Sequence, residues 1–317
     1  TSSYMPTPTI IEAAQALYRG HDVKEISRSD AGAYNLSLTT KALNRIIEQS
    51  KQHHEKSICF VTGVPGAGKT LVGLNIANER HQYDEQEHAV FLSGNGPLVA
   101  VLREALARDE IKRFKGKITK TASKRKVAAF IQNIHHFRDA YLPPSEQVPA
   151  EKVAIFDEAQ RAWTKEQTAK FMLKRHVPGW NMSEPEFLIS VMDRHQDWTV
   201  IICLIGGGQE IHTGEAGLLA WFDALRDHFP DWNVYVSPQI SDVEYTHGKQ
   251  LEHLFTGLRL YREPNLHLSV SLRSFRNERV SAFVKSLLDE NLPVAQQLYS
   301  ELSLNYHITS TTSLHKP

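Results

Sequence analysis

Eight consecutive residues form a glycine-rich motif, G-x-x-x-x-G-K-T, directly after an apolar run. They are Gly63, Val64, Pro65, Gly66, Ala67, Gly68, Lys69 and Thr70. Glycines let a backbone curl around phosphate oxygens and point its N–H groups inward, at the positive end of a following helix. In such a loop the lysine reaches the β- and γ-phosphates and the threonine hydroxyl ligates Mg²⁺. The motif predicts an ATP and Mg²⁺ site.

A pair of acids ends a second apolar run farther along the chain. Asp157 and Glu158 follow the run 153–156. In a nucleoside triphosphatase, Asp157 would hold Mg²⁺ through water and Glu158 would position or deprotonate the attacking water. A small-molecule kinase or a switch ATPase also carries these two features, so the acids alone do not choose between these classes.

Two more polar residues come after apolar runs. Gln209 follows three glycines after the run 199–205, and a glutamine at a strand end can bond the γ-phosphate and report its loss. Arg273 follows the run 268–272, and an arginine there can stabilise charge on the γ-phosphate from a second domain. The structural alternatives are a glycine-rich turn with a polar tip and a surface arginine.

Short apolar, β-rich runs alternate with helical periods over most of the chain. The runs are 57–62, 89–93, 153–156, 199–205 and 233–236, and the helical periods are 71–80, 98–108, 127–141 and 217–229. Strands that are apolar on both faces and alternate with helices predict a parallel sheet with helices on both faces. Ligands of such sheets bind at the carboxyl ends of the strands, where the residues above are expected to lie.

The residues before the first run read as helical. Thr9 and Glu12 form a capping-box pattern that predicts a short helix. Thr40 is predicted to cap a second helix with Leu43, Ile46 and Ile47 on one face.

Composition limits the function classes. Lys+Arg and Asp+Glu both number 36, which gives a net charge of 0 and excludes a globally basic nucleic-acid coat. Without a run of 18 apolar residues or an export signal, the chain is expected to be cytoplasmic, with no membrane span. The absence of an initiator Met suggests a piece of a longer protein. Cys59 and Cys203 are expected to be reduced core residues.

Positive charge is concentrated in one segment of this neutral chain. Eight basic residues occur among the fifteen positions from 112 to 126, with no acid before Asp139: Lys112, Arg113, Lys115, Lys117, Lys120, Lys124, Arg125 and Lys126. Such a segment suits nucleic-acid phosphates. The alternative is a solvated helix face.

Together these motifs resemble the Schlafen group 3-like DNA/RNA helicase domain family of bacterial proteins, which is similar to superfamily 1 helicases. The resemblance runs from about residue 6 to the end of the chain, and its carriers are the phosphate loop and the segments 91–98, 156–161, 206–215 and 272–274. It implies an α/β fold of the RecA-like P-loop NTPase type. It also implies nucleotide sensing by Gln160 and Gln209, a γ-phosphate contact by Arg273, and a single-strand contact around Asn95.

The sequence departs from this pattern in three places. Gly214 and Glu215 stand where related helicases have a base-stacking aromatic residue and an ATP-contacting arginine. The adenine-reading glutamine has no clear counterpart in 36–41. The chain also stops soon after a helical period at 280–289, which predicts only the start of a second RecA-like domain and a weakly active fragment.

The expected organisation is an N-terminal helical extension at 1–50, a RecA-like nucleotide-binding domain at 51–240, and an incomplete second RecA-like domain at 241–317. The favoured function is an ATP-binding, ATP-hydrolysing helicase or translocase domain that acts on single-stranded DNA or RNA. An ATP-dependent switch or scaffold that binds a protein partner is the alternative, since the stacking aromatic residue is missing.

Overall fold

The computed structural model describes residues 9–21, 30–83, 88–115, 117–206, 217–241, 255–270, 283–287 and 289–303. The predicted roles of Gln209, Gly214, Glu215 and Arg273 lie outside these residues. The helices are α1 Ile10–Tyr18, α2 Asp30–His53, α3 Lys69–Tyr83, α4 Gly96–Arg113, α5 Lys120–Phe130, α6 Ile134–Ala140, α7 Lys165–Lys174, α8 Glu184–Asp193, α9 Leu219–His228 and α10 Leu292–Leu302. The strands are β1 Lys56–Gly63, β2 Ala89–Ser93, β3 Ile131–Asn133, β4 Val153–Asp157, β5 Thr199–Leu204, β6 Asn233–Val236, β7 Arg259–Arg262 and β8 His267–Leu268.

One eight-stranded sheet organises the described residues. Its strand order is β3-β2-β4-β5-β1-β6-β7, and β8 pairs with the end of β1. Every pairing in it is parallel. One strand, β5, separates the phosphate-loop strand β1 from the acid strand β4. The predicted fold class is confirmed: the chain has an α/β, RecA-like fold.

The strands are apolar on both faces because helices cover both. Successive side chains of a strand point to opposite faces, so Cys59 and Val61 of β1 join one apolar cluster while Ile58 and Phe60 join the other. Helices α1 to α5 contribute to the first cluster, and α6, α8 and α9 to the second. Cys59 and Cys203 are free and fully buried, as predicted.

The two N-terminal helices belong to the core of the sheet. The capping box at Thr9 and Glu12 is present. The prediction that Thr40 caps a helix is wrong, because α2 already begins at Asp30 and Thr40 lies in its middle. Leu43 and Ile47 of α2 are fully buried in the same cluster as strand residues of the sheet. The first 50 residues therefore include core structure, in contrast to the expected extension.

The predicted helix 127–141 is wrong in its centre. Helix α5 ends at Phe130, strand β3 pairs with β2, and α6 begins at Ile134. The Asn133 side chain accepts a hydrogen bond of 2.8 Å from the His135 N–H and caps α6. The apolar periodicity continues through this break, so the pattern predicts one continuous helix. The strand forms because residues 131–133 pair with β2, and that pairing depends on the tertiary structure.

Two strands after residue 240, β7 and β8, extend the same sheet. Strand β7 pairs with β6, and β8 pairs with Thr62 and Gly63 of β1. Thr39 of α2 donates a hydrogen bond of 2.7 Å to the Asn265 carbonyl and fixes this segment against the helix. A second RecA-like domain therefore does not begin at residue 241, because the strands at 259–268 complete the first sheet. None of the described helices is long and apolar enough to cross a membrane.

Candidate nucleotide site and its surroundings

The phosphate loop joins β1 to α3 at the carboxyl edge of the sheet. Gly66 has φ 77° and Gly68 has φ 92°, backbone conformations that favour glycine. A Cβ at Gly63 would lie 2.8 Å from the Leu268 carbonyl oxygen, so β8 packs directly on the first residue of the loop. The Val64 N–H donates to the same carbonyl at 3.0 Å. Backbone conformation thus favours glycine at positions 66 and 68, and the close approach of β8 requires it at position 63.

Lys69 lies across its own loop. Its Nζ donates hydrogen bonds to the carbonyl oxygens of Gly63 at 2.8 Å and Val64 at 3.4 Å. Burial lowers the pKa of Lys69, while the carboxylates of Glu158 and Asp157 oppose that shift. The amine is therefore held at the centre of the loop, near two acids.

Asp157 brings the acid strand to the end of the phosphate loop. The Thr70 hydroxyl donates to Asp157 Oδ1 at 3.2 Å, and Ser93 Oγ lies 3.5 Å from Oδ2. Burial, and next the charge of Glu158, raises the pKa of Asp157 to about 7. A buried carboxylate beside a hydroxyl and a second acid is a hard-oxygen donor set, which fits Mg²⁺. Thr70 and Asp157 are the residues that would hold it.

Glu158 has a left-handed backbone, with φ 52° and ψ 46°, which is uncommon for a residue other than glycine. Its Oε2 accepts a hydrogen bond of 2.6 Å from the Gln160 side-chain amide. Gln160 Oε1 accepts in turn from the Gly206 N–H at 3.0 Å, and the Gln160 carbonyl accepts from the Gly217 N–H at 3.1 Å. Gln160 therefore links Glu158 to both residues that flank the segment 207–216.

Asn95 lies beside this site but serves its own helix. Its Oδ1 accepts a hydrogen bond of 3.1 Å from the Leu98 N–H, which caps α4. It also borders a cleft of about 450 Å³ that reaches Thr70, Asp157 and Glu158. A side-chain contact of Asn95 with a single strand stays a prediction, and its capping bond limits the acceptor capacity left for one.

The basic segment is less positive in the fold than along the chain. Lys120 and Lys124 lie 3.5 and 2.6 Å from Glu104, and Lys126 lies 2.9 Å from Glu110. These acids precede the segment in sequence and return to it because α4 packs on α5. Other basic side chains of the segment remain exposed: Lys112, Arg113, Lys115, Lys117 and Arg125.

The basic segment also begins far from Asn95. Asn95 caps the start of α4, and Lys112 lies in its last turn. At a rise of about 1.5 Å per residue, roughly 25 Å of helix separates them. The structure therefore brings together Lys69, Thr70, Asp157 and Glu158 and places Asn95 at their border. The basic segment begins at the other end of α4 and returns only as far as Glu104, in the middle of that helix.

Four residues that sequence reasoning missed form the outer wall of the cleft or support it. Arg138 is buried, donates to Glu184 at 2.9 Å, and packs its guanidinium 4.8 Å from the centre of the Trp163 ring. His135 contacts the same ring, with its ring centre 5.2 Å from that of Trp163. The sequence does contain one indication of this wall, because Trp163 lies only five residues after Glu158.

Comparisons with known proteins give one family. The family described as Schlafen group 3, DNA/RNA helicase domain, matches residues 56–316. No curated protein matches the chain. Among solved structures, the Hef helicase domain of Pyrococcus furiosus has a TM-score of 0.34 and 14% sequence identity, over 62% of this chain and 38% of that one. The chain thus spans well under half the length of that structure, and the fold assignment rests on the strand order.

Proposed function

The chain belongs to the Schlafen group 3, DNA/RNA helicase domain family, and on that premise we propose that it binds ATP with Mg²⁺ at residues 63–70, hydrolyses it, and couples hydrolysis to single-stranded DNA or RNA. Membership of this family supports the assignment of a helicase-like domain. ATP turnover and the nucleic-acid substrate are the parts that this proposal adds.

One observation carries the ATPase proposal. The Thr70 hydroxyl, in the first turn of α3, lies 3.2 Å from the Asp157 carboxylate at the end of β4. These groups come from distant parts of the sequence, and both are ligand types that Mg²⁺ accepts. A glycine turn with a surface lysine would not need this contact.

The chain's own residues divide the work. Lys69 leaves the carbonyls of its loop to bind the β- and γ-phosphate oxygens, and the loop N–H groups surround them. Thr70 and Asp157 hold Mg²⁺, which when bound neutralises phosphate charge. Glu158 accepts a proton from the attacking water, and Gln160 holds the Glu158 carboxylate in position. Glu158 therefore acts as the general base.

The test of this proposal is nucleotide binding by Lys69→Ala. We expect tight ATP binding to disappear, because the loop loses the cation that its phosphates need. Isothermal titration with ATP and Mg²⁺ measures it, and Lys41→Ala, which removes an exposed lysine of α2, is the matched control. Unchanged affinity in a folded Lys69→Ala protein would contradict the proposal.

A second candidate is an ATP-dependent switch or scaffold without movement on nucleic acid. The ion pairs of Lys120, Lys124 and Lys126 favour it, because they reduce the charge that the basic segment offers to phosphates. ATP turnover with and without single-stranded DNA or RNA separates the two. Stimulation supports the helicase-like function, and turnover that ignores both strands supports the switch.

A further inference from the structure

The cleft of about 450 Å³ lies on the β2 side of the acid pair. Thr70, Asp157 and Glu158 form its inner end, and among the described residues that line it Thr70 is the one member of the phosphate loop. Its outer walls are Gly94 and Asn95 after β2, the start of α6, and the segment that follows β4. The ATPase roles given above leave this outer part of the cleft unused.

Two aromatic rings form one outer wall. His135 and Trp163 have ring centres 5.2 Å apart and planes inclined by 34°. Trp163 also packs against the Phe171 ring at 5.3 Å and the buried Arg138 guanidinium at 4.8 Å. The backbone N–H of Trp163 also donates to Glu184 Oε2 at 2.9 Å. The rings are thus fixed in place before any ligand arrives.

The charges around the cleft select a neutral occupant. Three acids, Asp157, Glu158 and Glu184, and one arginine, Arg161, are among the described residues that line it, so the lining favours a neutral group over a phosphate. Burial and the nearby charge of Arg138 lower the pKa of His135, which leaves its ring neutral at pH 7. A neutral imidazole offers a flat face instead of a charge. Its Nδ1 is buried and has no hydrogen-bond partner among the described residues.

We propose that this cleft receives one unstacked base of a nucleic-acid single strand and holds it against His135 and Trp163. The inference rests on the proposed nucleic-acid function and names a site for it. Every base has a flat π-face, so stacking on aromatic side chains tolerates any sequence. The site supplies an aromatic contact in a chain that has Gly214 where related helicases stack a base.

The experiment compares two 5′-labelled strands of equal length, oligo-dT and a fully abasic strand with the same backbone. Fluorescence anisotropy gives the dissociation constant of each for the full chain, and their ratio measures the contribution of the bases. We expect a large ratio in the wild type. The ratio should fall roughly five- to a hundredfold in Trp163→Ala and His135→Ala, the range for one lost base–aromatic stack.

Two further variants guard against misfolding. His136→Ala, an exposed neighbour on the same helix, is the matched control and should keep the wild-type ratio. Gly94→Val narrows the cleft without removing a packed side chain. The added Cβ has room, because among the described residues its near neighbour is Ile134 Cγ2 at 3.8 Å, an ordinary van der Waals contact. It should lower the ratio while ATP binding stays intact.

The outcomes separate the two proposals. A wild type that binds both strands equally, or variants that keep the wild-type ratio, would overturn the base site and leave the nucleic-acid function standing. A wild type that binds neither strand, and does not bind an oligo-U of the same length either, would overturn the nucleic-acid function, and the base site with it. A fall in the ratio confined to the cleft variants supports both.

Discussion

Neighbouring carboxylates at the end of β4 have different surroundings. Asp157 is buried and bonded to the Thr70 hydroxyl, and its pKa is raised to about 7. Glu158 is partly exposed, has a left-handed backbone, and is bonded to Gln160. The first environment suits a metal ligand, because a bound cation would offset the cost of burying the charge. The second suits a base that reaches water.

Glu158→Gln tests this division of roles. We expect ATP binding to persist and hydrolysis to fall by about 100-fold or more, because the substitution removes the base and keeps the metal ligands. Phosphate release and equilibrium binding, measured on the same preparation, give both quantities. Turnover equal to that of the wild type would show that Glu158 is not the base.

Gln160 has a positioning role that its own substitution can reveal. Gln160→Ala removes the bond to Glu158 and the bond to the Gly206 N–H. We expect kcat to fall by roughly tenfold with little change in KM, because a lost hydrogen bond to a charged group costs about 1.5 kcal/mol or more. Steady-state ATP turnover measures both constants.

The matched control is Gln167→Ala on α7, a glutamine outside the described lining of the cleft at the acid pair. It should leave kcat unchanged. A Gln160→Ala protein that loses stability in proportion to its loss of kcat would indicate a merely structural role for this glutamine.

At the scale of elements, the packing of α4 on α5 decides how much of the basic segment can bind phosphate. Glu104 and Glu110 belong to α4 and pair with lysines of α5. Reversing the charge of Lys124 or Lys126 would therefore place two acids together and disturb the helix pair itself. The exposed Lys117 and Arg125 give a cleaner test.

Neutralising these two residues should weaken single-strand binding and flatten its salt dependence. Each lost phosphate contact lowers the slope of log K against log salt by about 0.7 for a single strand. We expect Lys117→Gln with Arg125→Gln to change the slope by about 1.4, measured by titration at several salt concentrations. Lys124→Gln is the control, because Lys124 is already paired with Glu104. An unaltered slope in the double variant would show that the segment is a solvated helix face and not a phosphate contact.

For the whole molecule, the described N-terminal helices share the core of the sheet. Leu43 of α2 is fully buried in the same cluster as Val61 of β1. Leu43→Ala should lower the free energy of unfolding by about 2–5 kcal/mol, the cost of a cavity in a packed core. Chemical denaturation followed by fluorescence measures it.

ATP binding should be lost in the same transition, because one core supports both the helix and the phosphate loop. Leu173→Ala on α7 is the control, since that side chain is 65% exposed. Nucleotide binding that survives the unfolding of α2 would restore the idea of a separate N-terminal extension.

The sequence by itself determines what depends on neighbours along the chain. The glycines of the phosphate loop, the apolar runs of β1, β2, β4, β5 and β6, and the capping box at Thr9 are local features, and all of them are present in the structure. Their physical causes act within a few residues, so pattern and spacing are enough to predict them.

Tertiary structure alone decides which distant residues meet. The same strands are compatible with many orders in a parallel sheet, and the observed order brings Thr70 to Asp157, β8 to Gly63 and Gln160 to Gly206. The charge that a surface segment presents also depends on packing, since Glu104 pairs with lysines that follow it in the chain. Contacts between separated segments depend on packing, and a linear pattern of residue types does not contain that information.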